Sequence, residues 1–239
     1  MFPFFFKKTS FNNYLRILYN IYRNYVISNS KSKAIIFFKK KNILKDLKLS
    51  KQTWKPNFID QEFLYKLILH KKISTVLEFG TGYSTIAMAA ALKFNSKYKK
   101  NNKIYCLETE KKWIVNVQKG LTKYSKFVEI IHSNCEMQLV DTSLCSFYVK
   151  LPNITPDLIY VDGPDPNAVK SKIFNLNYEK TNTPISADIL LYEYRLKPGA
   201  IIVVDGRPNN TIFLKNNLKR KYKFQFQRLY SRSIFELQQ

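Results

Sequence analysis

An α/β fold of the doubly wound type is predicted by three features of the chain. From residue 73 onward short β-rich runs alternate with helical stretches, several of those runs are apolar throughout, and glycine collects where the runs end. Unbroken apolar runs are what a parallel sheet requires, because helices on both faces leave neither face for water. The 239 residues are 45% hydrophobic and 24% charged, which supplies one core and excludes a disordered chain.

Residues 1–57 form a basic, aromatic-rich segment with helical stretches. Tyr14, Leu15, Leu18, Tyr19, Tyr22 and Tyr25 fall near helical spacing, with Arg16 and Arg23 between them. Such a helix can pack on the core, cap a substrate pocket, or lie on an anionic membrane. Pro56 marks a boundary, so we expect a helical segment at 1–57 and one α/β domain at 58–239 that opens with an amphipathic helix over Ile59–Leu69. The strands expected after it are Thr75–Phe79, Lys103–Leu107, Phe127–His132, Asp157–Val161 and Ala200–Val204. A helix is expected over Ala187–Arg195. Tyr222–Tyr230 and Ser233–Leu237 are separated by too few residues for a crossover helix and should close the sheet as an antiparallel hairpin.

Six glycines are present, and four of them end strands: Gly80 and Gly82 after the first, Gly163 after the fourth and Gly206 after the fifth. Ligands of open parallel sheets bind outside the carboxyl ends of the strands, so this placement marks a ligand rim. The turn Glu78-Phe79-Gly80-Thr81-Gly82 lets a cofactor approach backbone. Ser84 or Thr85 can cap the helix that follows, and Ala87, Ala89, Ala90 and Ala91 let it pack closely on the sheet. Glu108 ends the second strand at the offset where a carboxylate accepts hydrogen bonds from ribose hydroxyls, with Glu110 as the register alternative. Asp162 and Asp205 end adjacent strands on the same rim and should face one cleft.

Forty Lys and Arg against 17 Asp and Glu give a net charge of +23, which favours nucleic acid, an anionic membrane surface or an acidic substrate. The cations are spread along the chain, including Lys99-Lys100 and Lys219-Arg220-Lys221, and Lys, Asn, Ile, Phe and Tyr are plentiful together. A compositional origin therefore stays open beside a functional one. Cys106, Cys135 and Cys145 show no C-x-x-C spacing, and His70 and His132 are the only histidines. A disulfide framework, a zinc knuckle and a multi-histidine site are unsupported, and a reducing, cytoplasmic setting fits best. No apolar stretch is long enough to span a bilayer, and the opening apolar run precedes its lysines, the reverse of an export signal. Contact with a membrane would be peripheral.

The run Val76–Ser84 resembles the first motif of class I S-adenosylmethionine-dependent methyltransferases, and Leu107-Glu108 resembles their second. Pro156 through Pro164 is similar to their fourth motif and Leu196 through Gly206 to that of their fifth strand, all in order. The resemblance implies a Rossmann-like, mostly parallel seven-stranded sheet of order 3-2-1-4-5-7-6 with S-adenosylmethionine across strands one and two. By the same resemblance Glu78 and the turn Gly80, Thr81 and Gly82 hold the methionine part, with Ser84 and Asp162 completing the set. Glu108 then takes the ribose, and Ser133 or Asn134 takes the adenine edge. A dehydrogenase would want a third glycine where Thr85 stands, and Glu78 suits the cofactor's ammonium group.

The acceptor implied is a small-molecule or glycan hydroxyl. Asp162 or Asp165 would act as general base, or Asp162 and Asp205 with Asn209 or Asn210 would bind Mg²⁺. Two departures bear on these roles. Metal-dependent relatives read Asp-Asn where this chain has Asp205-Gly206, and a related group reads Val-Asp-Gly-Pro-His where Asp165 replaces the histidine. The Asp/Asn-Pro-Pro-Tyr/Phe signature of base-amine methylation is replaced by Asp162-Gly163-Pro164-Asp165. A nucleic-acid enzyme and a non-catalytic member at a membrane-associated assembly remain the alternatives. Arg207, Lys150 and Arg195 could meet an anionic substrate group, though Arg195 suits the carbonyl end of its helix better. Residues 135–155 and 164–186 are the expected substrate-facing insertions.

Overall fold

The computed structural model describes residues 4–47, 55–96, 102–176, 178 and 183–239, with side chains from residue 13 onward. The Lys99-Lys100 pair, part of the 1–57 segment and part of the 164–186 loop lie outside the described residues.

Five strands run parallel: β1 (Thr75–Phe79), β2 (Lys103–Glu108), β3 (Val128–His132), β6 (Leu158–Val161) and β8 (Ile201–Asp205). The closing hairpin is β9 (Tyr222–Gln227) and β10 (Arg232–Leu237), with β10 antiparallel to both β8 and β9. The sheet order is β3-β2-β1-β6-β8-β10-β9. Counted within this sheet alone that is 3-2-1-4-5-7-6, the Rossmann-like arrangement. The parallel strands read as unbroken apolar runs because both faces are covered. Val76, Ile104, Cys106, Tyr160 and Val203 join one apolar cluster, while Leu77, Phe79, Leu107, Ile159 and Ile202 join the other.

The first face is covered by α1 (Phe4–Lys40), α2 (Phe58–His70), α3 (Tyr83–Asn95) and α4 (Lys111–Leu121). In α3 the buried Ala87, Ala89, Ala90 and Ala91 remove bulk between helix and sheet. The last part of α1 belongs to this core. Ala34 and Phe38 are fully buried, and the Phe38 ring meets Tyr65 of α2 edge-on at 6.2 Å. Its earlier part is exposed, with Tyr14, Leu18, Ile21 and Tyr25 open to solvent. It touches the hairpin end through Arg228 over the Tyr19 ring at 5.0 Å and through Ser30 Oγ and the Tyr230 hydroxyl at 3.2 Å. Among the described residues, no helix is long and apolar enough to cross a membrane.

The second face carries α5 (Asp188–Glu193), α6 (Pro208–Asn217) and a second sheet of order β4-β5-β7. Its strands are β4 (Cys135–Val140), β5 (Ser143–Tyr148) and β7 (Ile185–Ser186). This sheet packs Cys135, Met137, Cys145 and Tyr148 against Leu77, Phe79 and Leu107. Residues expected to face substrate over 135–155 thus build this covering hairpin in large part.

Candidate functional site

At the carboxyl ends of β1, β2, β6 and β8 lies a cavity of about 490 Å³. One wall is the glycine turn. Gly80 sits at φ +92°, and its amide donates to Leu107 O at 2.9 Å, which ties the turn to β2. Gly80 and Gly163 touch backbone to backbone. A Cβ on Gly163 would lie 2.7 Å from Gly80 N and 2.8 Å from Gly80 Cα, so both strand ends need glycine to meet. Gly82 differs: its backbone is extended, and a Cβ there would meet nothing within 4 Å. Gly82 lines the cavity, and its missing side chain leaves that space open.

Beneath the turn, Glu78 is fully buried. Its carboxylate accepts from Ser84 Oγ at 2.5 Å, Thr85 Oγ1 at 2.7 Å and Cys106 Sγ at 3.1 Å. Burial pushes the carboxyl up to about 7, with those donors pulling the other way. Thr85 Oγ1 also accepts the Gly82 amide at 3.0 Å. Position 85, glycine in a dinucleotide fingerprint, thus carries a hydroxyl that joins turn to strand. Glu78 itself is not among the cavity-lining residues. All three donors to its carboxylate are neighbouring side chains of α3 and β2.

Glu108 closes the next part of the rim. Oε2 accepts the Thr81 amide at 3.1 Å, while Oε1 accepts the Thr109 and Glu110 amides at 2.8 and 2.9 Å. Burial raises this carboxyl as well, opposed by those amides. Glu108 lines the cavity, and Oε2, with one donor against the three on Oε1, keeps a lone pair free. Trp113, on the first turn of α4, stands in the same wall. Ser133 and Asn134 follow β3 but do not line the cavity. Ser133 Oγ is engaged, donating to Asn134 O at 3.0 Å and accepting the Lys150 amide at 2.8 Å.

The aspartates of β6 and β8 do share the cavity, and a third joins them from α2. Asp162 is exposed on the cavity wall. The burial of its site pushes the carboxyl up to about 6, against the pull of Arg207. Asp205 accepts from the Tyr160 hydroxyl at 3.0 Å, and Asp60 is near enough for its charge to act on the Asp205 carboxyl. Burial, then the charges of Asp60 and Asp162, push Asp205 up to about 8. Asp60 is ion-paired with the buried Arg232, whose guanidinium lies 3.7 Å from the Phe63 ring centre. Nothing in the sequence pattern singled out Asp60, which lies 145 residues from Asp205. The only cue was an acidic residue on the first turn of a helix beside Pro56. Lys55, Pro56 and Asn57 line the cavity too, so the expected boundary at 57 runs along the cavity wall.

Asp165 lines the cavity, but its Oδ1 accepts both the amide and the side-chain Nδ2 of Asn167 at 2.8 Å. It caps the short turn Pro166–Ala168. Arg207 is buried and donates to the carbonyls of Asp162 at 2.6 Å, Pro164 at 3.1 Å and Pro184 at 3.4 Å. Its donors hold the rim loop. Arg195 donates to Asn153 Oδ1 at 2.5 Å, and neither it nor Lys150 lines the cavity. Asn209 is exposed on α6 and Asn210 pairs with the backbone of Ser186. Neither asparagine lines the cavity, and among the described residues no group of three or more His, Cys, Asp or Glu side chains gathers to hold a metal ion. Of the 135–155 stretch no residue lines the cavity, whereas Pro164, Asp165, Pro166 and Thr183 of the second stretch do.

The methyltransferase-domain family model matches residues 77–206. A methyltransferase from Podospora anserina, solved with SAH bound, superposes at TM-score 0.51 and 13% identity, covering 100% of this chain and 99% of its own. A protein from Klebsiella pneumoniae, named as a candidate O-methyltransferase, superposes at TM-score 0.52 and 14% identity over 90% of this chain and 100% of its own. A candidate caffeoyl-CoA O-methyltransferase from Staphylococcus aureus does so at TM-score 0.51 and 13% identity over 92% and 100%. No curated protein matches the chain.

Proposed function

The chain belongs to the methyltransferase-domain family, and from that premise we propose that it moves the methyl group of S-adenosylmethionine to an oxygen of a small-molecule or glycan hydroxyl. When bound, the cofactor supplies a methyl carbon on a positively charged sulfur, and that sulfur keeps the bonding pair as the methyl leaves. The fit rests on the room at Gly82 and on the amides that begin α3, which suit a carboxylate. Gly80, Thr81, Gly82 and Ser84 hold the methionine part. Glu108 accepts from the ribose hydroxyls, and the Trp113 ring offers a flat surface to adenine. Glu78 acts through Ser84 and Thr85, keeping the turn in shape.

Asp162 carries the reading. It is the cavity carboxylate that ends β6 beside the glycine turn, and with its carboxyl near 6 it is ionised at neutral pH. As the acceptor oxygen bonds to the methyl carbon, Asp162 takes the hydroxyl proton. Asp205, pushed up to about 8, keeps its own proton at pH 7 and orients the site through Tyr160. Methyl transfer should therefore rise as pH rises through about 6 and then level. Asp162→Asn should remove that limb and lower kcat by roughly 10²–10⁴-fold, measured at saturating cofactor. Wild-type protein that binds no S-adenosylmethionine would overturn the assignment.

A second reading concerns α1. Tyr14, Leu18, Ile21 and Tyr25 repeat along one exposed face of a helix that contains Lys and Arg but no Asp or Glu. We propose that this part of α1 lies on an anionic membrane surface. The full chain should float with vesicles of phosphatidylserine and phosphatidylcholine and be released by salt. Equal flotation with phosphatidylcholine alone, or none with either, would count against it.

A further inference from the structure

The exposed part of α1 and the mouth of the cavity lie at the same end of the molecule. Phe38 anchors the last part of α1 beside Phe58 and Tyr65 of α2. Toward its start the helix reaches the connection between β9 and β10, where Ser30 meets Tyr230 and Tyr19 meets Arg228. That connection sits at the cavity rim. Arg232, just past Tyr230, is the register partner of Asp205 and the ion-pair partner of Asp60, and both aspartates line the cavity. At roughly 100° per residue, Tyr19 and Ser30 fall on the side of α1 that faces this connection. Tyr14, Ile17, Leu18, Ile21, Tyr22 and Tyr25 share the opposite half of the helix, and all six are exposed.

The charge at this end suits an anionic layer. Lys55 at the cavity mouth, Lys111 and Lys112 at the start of α4, and Arg228 are all exposed, and α1 contains no acidic residue. The other end of the sheet is basic too, with Lys71 and Lys197 exposed. Charge therefore draws the chain to an anionic surface without choosing an end, and the apolar stripe of α1 makes that choice, because only there can apolar side chains enter the headgroup boundary. A bilayer met through the stripe lies next to the cavity mouth. An acceptor free in water gains nothing from that arrangement, whereas one held in the bilayer is brought to the methyl group at high effective concentration.

Resting on the methyl-transfer and membrane readings above, we propose that the rim end of the molecule docks on the bilayer and that the methyl acceptor is a sugar or polyol hydroxyl on a lipid headgroup. The headgroup enters past Lys55 while its acyl chains stay in the membrane. Its hydroxyl oxygen bonds to the methyl carbon, the carbon–sulfur bond breaks with its pair left on sulfur to give S-adenosylhomocysteine, and the hydroxyl proton passes to Asp162.

The test uses the full chain on vesicles of phosphatidylserine and phosphatidylcholine. Cys106, Cys135 and Cys145 are buried, so a cysteine introduced by Lys55→Cys, Lys112→Cys or Lys197→Cys takes a fluorescent label selectively. A nitroxide on the lipid headgroup should quench the labels at 55 and 112 at least about twofold more than the label at 197. Equal quenching at both ends, or stronger quenching at 197, overturns the docking. For the acceptor, phosphatidylglycerol, phosphatidylinositol and glucosyl diacylglycerol are each added to the vesicles with methyl-labelled S-adenosylmethionine, beside glycerol, inositol and methyl glucoside in solution. At least one lipid should carry label into the organic phase, faster than its soluble counterpart is methylated. Leu18→Ser with Ile21→Ser should lower that rate at least about tenfold, while S-adenosylhomocysteine binds as before. No labelled lipid, an equal rate with the soluble counterpart, or an unchanged rate in the double variant overturns the proposal. Calorimetry with S-adenosylmethionine and flotation of the wild-type chain are read first, so failure of the methyl-transfer reading or of the membrane reading is seen separately from failure of the docking or of the lipid acceptor.

Discussion

Two glycines of one rim carry opposite kinds of constraint. At Gly163 the constraint is internal: the Cβ of an alanine would press on the backbone of Gly80, and backbone in hydrogen-bonded strand ends cannot swing aside. Gly163→Ala should cost about 2–3 kcal/mol in urea unfolding and should spread β1 from β6. At Gly82 an added methyl meets nothing within 4 Å, and under the proposed cofactor placement that space is the ligand's. Gly82→Ala should leave stability within about 0.5 kcal/mol yet weaken S-adenosylmethionine binding. If calorimetry instead found both variants equally unstable, Gly82 would be a folding residue, and the room beside it would say nothing of a cofactor. Glu78 shows how far a motif can be read. Its position in the chain was legible, but its full burial under three donors could only be learned from the strand neighbour Cys106 and the helix hydroxyls around it.

At the scale of elements, what was legible followed from hydrophobic pattern. The runs ending at Phe79, His132 and Val161 stop where the strands stop, because a strand buried on both faces must be apolar at every position. The hairpin at the end was legible from its short connection. The second sheet was not. β4 alternates buried Cys135 and Met137 with exposed Glu136 and Gln138, and six such residues without a partner in view do not announce a strand. Nor did Asp60 stand out, since its meaning comes from Arg232 of β10 and Asp205 of β8, far along the chain. The basic segment at the start divides in two: the exposed part of α1 and a part that completes the core around Phe38. Phe38 is fully buried among Phe37, Phe58 and Tyr65. Phe38→Ala should therefore destabilise the whole chain by about 3–5 kcal/mol, measured by urea unfolding, whereas Tyr25→Ser, at a position 69% exposed, should leave unfolding unchanged. An unaltered midpoint for Phe38→Ala would mean that α1 is an appendage.

For the molecule as a whole, the notable electrostatic fact lies inside a basic protein. Burial pushes the carboxyls of Glu78 and Asp188 up to about 7, and that of Asp205, aided by Asp60 and Asp162, up to about 8. In the unfolded chain these groups ionise near 4. Between those limits the folded state holds protons that the unfolded state has released, so stability must fall as pH rises from about 4.5 to 8. Asp188 isolates the effect. It starts α5, is fully buried, and its Oδ1 accepts the Tyr148 amide at 2.8 Å while Oδ2 meets no donor among the described residues. Ionising it above pH 7 places an unmatched charge in the second core. Asparagine keeps the acceptor for Tyr148 and cannot ionise. Asp188→Asn should match the wild type near pH 3.5 and exceed it by about 2–4 kcal/mol at pH 8, which thermal unfolding across that range would reveal as a flatter profile. A variant equally destabilised at both ends would show that Asp188 is needed as a carboxylate, and the fall of stability with pH would then have to come from Glu78 and the aspartates of the cavity.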